Sequence, residues 1–268
     1  MFKQILSSVM VGLIKVDTVI HTPIFIPGEF VQGEVILYGG NKPNRIETIT
    51  HSLVKTYNFG NENIHYPFFS HEIVVGKEIG KNEEKHIAFH FVLPENLPVP
   101  LYENELWVKT DVEIPKTLDP EDKDYVEVKM HPFMEACMKT FRDELGFTVN
   151  VREALMDKQI IKAVKRDFAS MLDTRQHVFL QSVRFRPTEL YKEKYERLEI
   201  FFDVTPDSIN LYIYVIFKST FSKLNSNPLN YVLLQLPKEI SHDQSEISKR
   251  IKAFLDNLEK TDIADYVY

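Results

Sequence analysis

Several scarcities narrow what this chain can be. It has one cysteine, Cys137. A lone thiol closes no internal disulfide, so the fold does not rest on covalent staples, and the chain suits a reducing compartment. No run approaches the ~20 consecutive apolar residues that a membrane-crossing helix needs. The opening MFKQILSSVMVGLIK lacks the long apolar core and small-residue cleavage site of a signal peptide. Positive charge is outnumbered, with 32 Lys and Arg against 39 Asp and Glu and a net charge of -7. An acidic chain does not attract phosphate backbones, so no nucleic acid is expected as a partner. These absences describe a soluble, cytoplasmic protein. Nucleotide-binding and hydrolase motifs are missing too: there is no G-x-x-x-x-G-K-[ST], no G-x-G-x-x-G and no G-x-S-x-G, and Gly76-Lys77 and Gly80-Lys81 build no phosphate cradle.

What is present is apolar and aromatic. Hydrophobic residues make up 44% of the 268 residues, with 19 Phe and 12 Tyr, enough for two buried cores. The length fits one large or two ordinary β domains.

Strand periodicity recurs along the chain. In Phe30–Tyr38, Val31, Gly33, Val35 and Leu37 share a face, after a turn at Pro27-Gly28. Arg45–Tyr57 is rich in Ile, Thr and Val. Asn58–Phe69 reads as a polar, aromatic connection, and Glu72–Val75 as a short strand. Lys85–Leu93 alternates cleanly, with Ile87, Phe89, Phe91 and Leu93 on one side, and Pro94 ends it. Leu106, Val108, Thr110, Val112 and Ile114 define another strand. Thr117–Asp124, TLDPEDKD, has no apolar period and reads as the junction between two domains, 1–125 and 126–268. Tyr125–Met130 is the extended entry to the second.

The second half opens with a helix over Phe133–Leu145, striped by Met134, Cys137, Met138, Phe141 and Leu145 and capped by Gly146. Strands follow at Phe147–Met156 and Gln176–Phe185. Arg197–Val204 and Ile209–Lys218 form a hairpin about Thr205-Pro206-Asp207-Ser208, and Tyr231–Leu236 adds a strand. Ser241 and Gln244 suggest a capping box for a C-terminal helix striped by Ile247, Ile251, Phe254, Leu255 and Leu258. At the N-terminus, Phe2, Ile5, Leu6, Val9, Met10 and Leu13 recur at helical spacing. They predict a short amphipathic helix that caps a sandwich or meets a membrane or partner through Phe2, Ile5, Leu6 and Val9.

Three stretches carry a family resemblance. They are Pro27-Gly28-Glu29-Phe30-Val31-Gln32-Gly33-Glu34-Val35, then Phe89-His90-Phe91-Val92-Leu93-Pro94-Glu95-Asn96-Leu97-Pro98, then Leu106–Asp111 followed by Leu118–Tyr125. The second is similar to the F-x-F-x-L-P-x-x-L-P stretch of arrestin-like amino-terminal domains. Together they resemble the bacterial sporulation-control (SpoOM) family of the arrestin-like clan. The resemblance implies an all-β chain of two arrestin-like antiparallel β-sandwich domains. It also implies a non-enzymatic regulator or scaffold that binds proteins during early sporulation.

Residue types that carry chemistry in other proteins are present but poorly arranged for it. His86 and His90 lie four apart in a strand, about 13 Å at ~3.3 Å per residue, too far to share an ion. His65, His71 and Glu72, near Glu62, would serve a metal-dependent hydrolase, the least favoured reading. Asp119, Glu121, Asp122 and Asp124 are dense carboxylates, but an EF-hand needs Gly at its sixth position and Glu at its twelfth, where Asp124 and Met130 stand. Asp119, Asp122, Lys123 and Asp124 are instead expected to pair across the domain junction. Cys137 reads as a core residue. Lys162, Lys165, Arg166 and Arg175 form a basic run suited to solvent or to an acidic partner. No catalytic residue, metal or cofactor is expected. The expected partners are proteins, with a homodimer plausible on edge-strand grounds and a membrane surface as the alternative.

Overall fold

Alternating burial along extended backbone organises the first half of the chain. On β4 (Phe30–Tyr38), Val31, Gly33, Val35 and Leu37 are buried and the residues between them are not. The computed structural model describes residues 5–11, 14–59, 62–97, 106–113, 123–155, 179–218 and 231–258. The chain divides into two units, Met1–Met130 and His131–Tyr268.

In the first unit, β1 (Ile5–Val11) and β2 (Ile14–Ile20) run antiparallel, followed by the short β3 (Ile24–Phe25) and then β4. Next come β5 (Asn44–Phe59), β6 (Glu62–Ile79), β7 (Glu84–Val92), β8 (Leu106–Glu113), β9 (Lys123–Tyr125) and β10 (Glu127–Val128). One four-stranded sheet has the order β1-β2-β4-β7 and the other β6-β5-β8-β9, while β10 pairs with β3. Val16, Ile20, Val35, Leu37 and Phe89 from the first sheet and Ile49, Leu53, Leu106, Val108 and Val112 from the second belong to one buried cluster. Each such side chain contributes on the order of 1.5–3 kcal/mol by leaving water.

Two glycines are needed where they stand. Gly28, at φ +82°, takes the third position of the turn closed by Glu29 N–H donating to Ile26 O, which only a residue tolerant of positive φ fills without strain. Gly33 lies under a ring: a Cβ there would come within 2.4 Å of the Val19 carbonyl and 2.6 Å of Phe89 Cζ.

Two local expectations for the first unit change. Residues 5–11 form a strand, so the N-terminal amphipathic helix is replaced by a hairpin partner of β2, with Ile5, Leu6 and Val9 opposite Ile20, Val19 and Val16. A short isolated helix is marginal in water, and pairing with β2 satisfies the same backbone groups. Phe2 lies outside the described residues. The connection expected over Asn58–Phe69 is the end of β5 and the start of an 18-residue β6. Pro67 interrupts no ladder fatally, because it stands on an edge strand at a register shift between Leu53 and Val54. The backbone of Lys123–Tyr125 and of Glu127–Val128 pairs with β8 and β3, inside the first unit.

In the second unit, α1 (Pro132–Lys139) is capped by His131 Nδ1, which accepts from Phe133 N at 3.1 Å, and continues as a π-helical turn over Thr140–Glu144. A five-stranded antiparallel sheet follows, in simple order: β11 (Phe147–Leu155), β12 (Phe179–Pro187), β13 (Tyr195–Val204), β14 (Ser208–Phe217) and β15 (Tyr231–Pro237). Among the described residues it is the unit's one sheet. Helix α2 (Gln244–Asn257) closes the chain's described part. Its cap is Asp243, accepting from Glu246 N at 3.0 Å, in place of the Ser241–Gln244 box. Gln244 instead donates across to Ala136 O and Thr140 Oγ1 of the first helix, which explains why its side chain does not fold back. The helices cover one sheet face: the Phe141 ring lies 4.5 Å from that of Phe185, and Tyr195 Oη donates to Leu255 O at 2.6 Å.

Candidate binding surface

Successive residues of a strand point to opposite faces, so the buried row on β4 leaves Phe30, Gln32, Glu34, Ile36 and Tyr38 outward. The β4–β7 register sets these opposite Val92, His90, Ala88, His86 and Glu84. At one end Phe30 is 66% exposed and Val92, its cross-strand partner, 47%. The His90 ring lies 6.4 Å from that of Phe30. Two large apolar side chains held in solvent side by side are a feature that folding alone does not require.

Beside them runs a histidine–carboxylate ladder. Glu34 meets His86 Nδ1 through Oε2 at 2.9 Å and His21 Nε2 through Oε1 at 3.6 Å, and His86 Nε2 meets Glu84 Oε1 at 2.9 Å. Both His86 ring nitrogens face carboxylates, so both must donate, which only the imidazolium does. Consistently, the hydrogen bond to Glu34, then that to Glu84, raises the His86 pKa. The hydrogen bond from His86 lowers that of Glu34. Further along, Lys15 Nζ donates to Asp17 Oδ2 at 2.7 Å and sits 5.1 Å from the Tyr38 ring centre.

Between the sheets the polar chemistry is different. Thr18, His51 and Thr110 are buried together, with His51 Nε2 3.3 Å from Thr18 Oγ1 and Thr18 Oγ1 3.4 Å from Thr110 Oγ1. His51 Nδ1 is enclosed without a hydrogen-bond partner. Burial first, and His71 second, push its pKa down to about 4.

The residues singled out from sequence do not converge. Asp119 and Asp122 lie outside the described residues, and Lys123 and Asp124 stand in β9 opposite Lys109 and Val108. The basic run of Lys162, Lys165, Arg166 and Arg175 also lies outside them. The metal reading of His65, His71 and Glu72 fails on geometry. His71 packs its ring 5.0 Å from that of Phe91, its neighbour Glu72 is exposed on the other side of the strand, and His65 is engaged by Thr56 and the edge of Trp107. Among the described residues no group of three His, Cys, Asp or Glu side chains could hold a metal ion. Cys137 is fully buried, and burial drives its thiol pKa up, away from the reactive thiolate. No described helix is long and apolar enough to cross a membrane.

The ladder is not visible in the sequence, where spacing along the strand sets His86 against His90. The partner of His86, Glu34, comes from β4, 52 residues away, and only the register brings the two together; His21, just past the end of β2, meets Glu34 in turn.

Comparison with known proteins follows the same lines. The model of the SpoOM protein family matches residues 2–216. The sporulation-control protein spo0M of Bacillus subtilis (strain 168) is 26% identical over 215 residues, covering 78% of this chain and 78% of that protein. The crystal structure of Spo0M, sporulation control protein, from Bacillus subtilis aligns over 92% of this chain and 99% of that one, with a TM-score of 0.68 and 22% identity. At that identity the likeness speaks for the fold: mostly antiparallel sheet in open, sandwich-like, arrestin-like layers with few short helices, as expected from the sequence.

Proposed function

This chain belongs to the SpoOM protein family, and we propose that it is a non-enzymatic, cytoplasmic regulator that binds a partner protein through the outer face of the β1-β2-β4-β7 sheet. The observation that carries this reading is the exposed cross-strand pair Phe30 and Val92. Aromatic anchors beside polar, charge-bearing neighbours are the residues on which interface energy concentrates. The ladder at His21, Glu34, His86 and Glu84 would frame that anchor with directional polar groups. The early-sporulation role is part of this proposal; what supports it is membership of the family and the likeness to the sporulation-control protein spo0M of Bacillus subtilis. Self-association is a separate part of the proposal, on edge-strand grounds: among the described residues β11 and β15 each pair with one neighbouring strand.

The test is capture of the tagged chain's partners from a spore-forming bacterium entering sporulation, beside a Phe30→Ser variant. Loss of a specific partner on substitution is expected, at about tenfold or more for a central aromatic anchor. Equal recovery by the folded variant would move binding off this face.

A further inference from the structure

We infer that the partner protein is held by an extended, apolar segment with a basic end, added as a fifth strand to the free edge of β7. This rests on the reading above and deepens it, since the face with Phe30 and Val92 would become one side of the enlarged sheet.

The backbone of β7 shows which groups the edge offers. Leu93 N–H donates to Glu29 O at 2.9 Å, Leu93 O accepts from Gly28 N–H at 3.1 Å, and Glu83 O accepts from Gly39 N–H at 2.7 Å. Residues 83 and 93 thus turn their backbone groups toward the β4 side. Along an antiparallel strand the direction alternates, and one unbroken register joins Glu84–Val92 to β4. The N–H and C=O of His86, Ala88, His90 and Val92 therefore point away from β4. Among the described residues no strand pairs with that side. The side chains agree. Val31 and Val35 on β4 are fully buried, whereas their cross-strand partners Phe91 and Ile87 stay partly exposed.

Free edges are usually guarded. β6, an edge of the facing sheet, is guarded by Pro67, which lacks an N–H, by Gly76 at φ +55° and by two register shifts. β7 carries no proline and no shift, and from Ile87 to Val92 it has no lysine, arginine or carboxylate. Such a run is a template for another strand.

The neighbouring side chains select the occupant. On the inner side an added strand would lie along Ile87 and Phe91, with the Phe69 ring 5.1 Å from that of Phe91. Apolar residues fit there. On the outer side Val92 stands at one end with Phe30 behind it, which suits a large apolar residue. At the other end Glu34 and Glu84 flank His86, so carboxylates outnumber the imidazolium between them. A lysine or arginine level with Glu84 complements that end, as opposite charges across strands do.

The experiment uses the purified full chain and a fluorescent peptide as long as β7. The peptide alternates valine and threonine, with lysine at one end and phenylalanine at the other; its reversed sequence covers the opposite strand direction. A version with glutamate in place of lysine runs beside them. Saturable binding of one lysine peptide is expected, and stronger than that of the glutamate version. Amide exchange at His86, Ala88, His90 and Val92 should slow about tenfold or more, while Ile87 and Phe89, already bonded to β4, stay unchanged. Ala88→Pro removes an N–H that β4 does not use and should weaken binding about tenfold. Ala88→Thr, which keeps the N–H, should bind like the native chain. The exchange measurement needs no variant, so it decides even if Ala88→Pro does not fold.

No saturable binding, protection at other amides, or unchanged binding by folded Ala88→Pro overturns the inference. Equal binding of the glutamate peptide overturns the basic end. Protection of the same four amides on raising the chain concentration alone overturns the partner segment in favour of a second copy of this chain. The two readings separate in the capture experiment. If Phe30→Ser loses the partner and Ala88→Pro keeps it, the edge falls and the face stands. If Ala88→Pro loses it and Phe30→Ser keeps it, the face falls and the edge stands.

Discussion

The two units solve the same burial problem in different ways. The first packs sheet against sheet, and its interior encloses Thr18, His51 and Thr110 among aliphatic residues. The second packs helices on a sheet. Its interior is ring on ring, from Phe141 to Phe185, Phe147 and Tyr191, and then to Tyr195 and Phe217. Its helix–helix seam carries the polar contacts instead, through Thr140, Gln244 and Ser248. The difference teaches where each unit is vulnerable: the second to lost volume, the first to protons.

The largest expected effect is in the second unit. Phe141 is fully buried at the centre of the ring cluster, and Phe141→Ala is expected to cost about 3–5 kcal/mol through lost transfer energy and the cavity left behind. Amide exchange should quicken across β11 and β12 and stay unchanged in β4 and β7. Uniform quickening over both units would break the comparison.

Next is the acid response of the first unit. Folded His51 has a pKa of about 4 against an ordinary 6.5. Between those values the unfolded chain binds more protons than the folded one, so stability is full above about pH 6.5 and falls as pH drops toward about 4. The full loss is on the order of 3 kcal/mol. The neighbours facing His51 do not rescue its charge: His71 opposes it from β6, and Thr18, Thr110 and Phe89 are neutral. Urea unfolding of His51→Leu across that window should show a flatter pH profile. An unchanged slope would place the acid sensitivity elsewhere.

Legibility divided along a physical line. Strands β4, β7, β8 and the β13–β14 hairpin could be read because alternate residues meet opposite environments, as at Val31, Val35 and Leu37 or at Phe89 and Val92. The first helix could be read because Met134, Cys137, Met138 and Phe141 recur on one side and Gly146 follows. β1 could not, since Ile5, Leu6 and Val9 fit a helical stripe equally well and only pairing with β2 decides. β6 could not, because Pro67 and its aromatic neighbours mimic a loop while β5 supplies the ladder. The surface proposed on the first unit was invisible because Glu34 and His86, 52 residues apart, become neighbours only through strand register, which local sequence does not specify.

The smallest effect sharpens the account at the first unit's surface. Glu34→Gln removes the leading cause of the raised His86 pKa, which should fall toward its ordinary value in an imidazole proton titration. Little change in stability is expected, because exposed ion pairs contribute little. A His86 pKa that stays put would mean the ladder is not coupled.

The central claim, that partner binding uses the outer face of the first sheet, is tested most directly by site-specific photocrosslinking. A photoreactive side chain is placed at position 30, and in a second preparation at position 74. Val74 is 74% exposed and lies on β6 of the other sheet, so it is an equally accessible apolar control. The account predicts a specific crosslinked partner from position 30 and none from position 74. Crosslinking from position 74 alone, or equally from both, would contradict it.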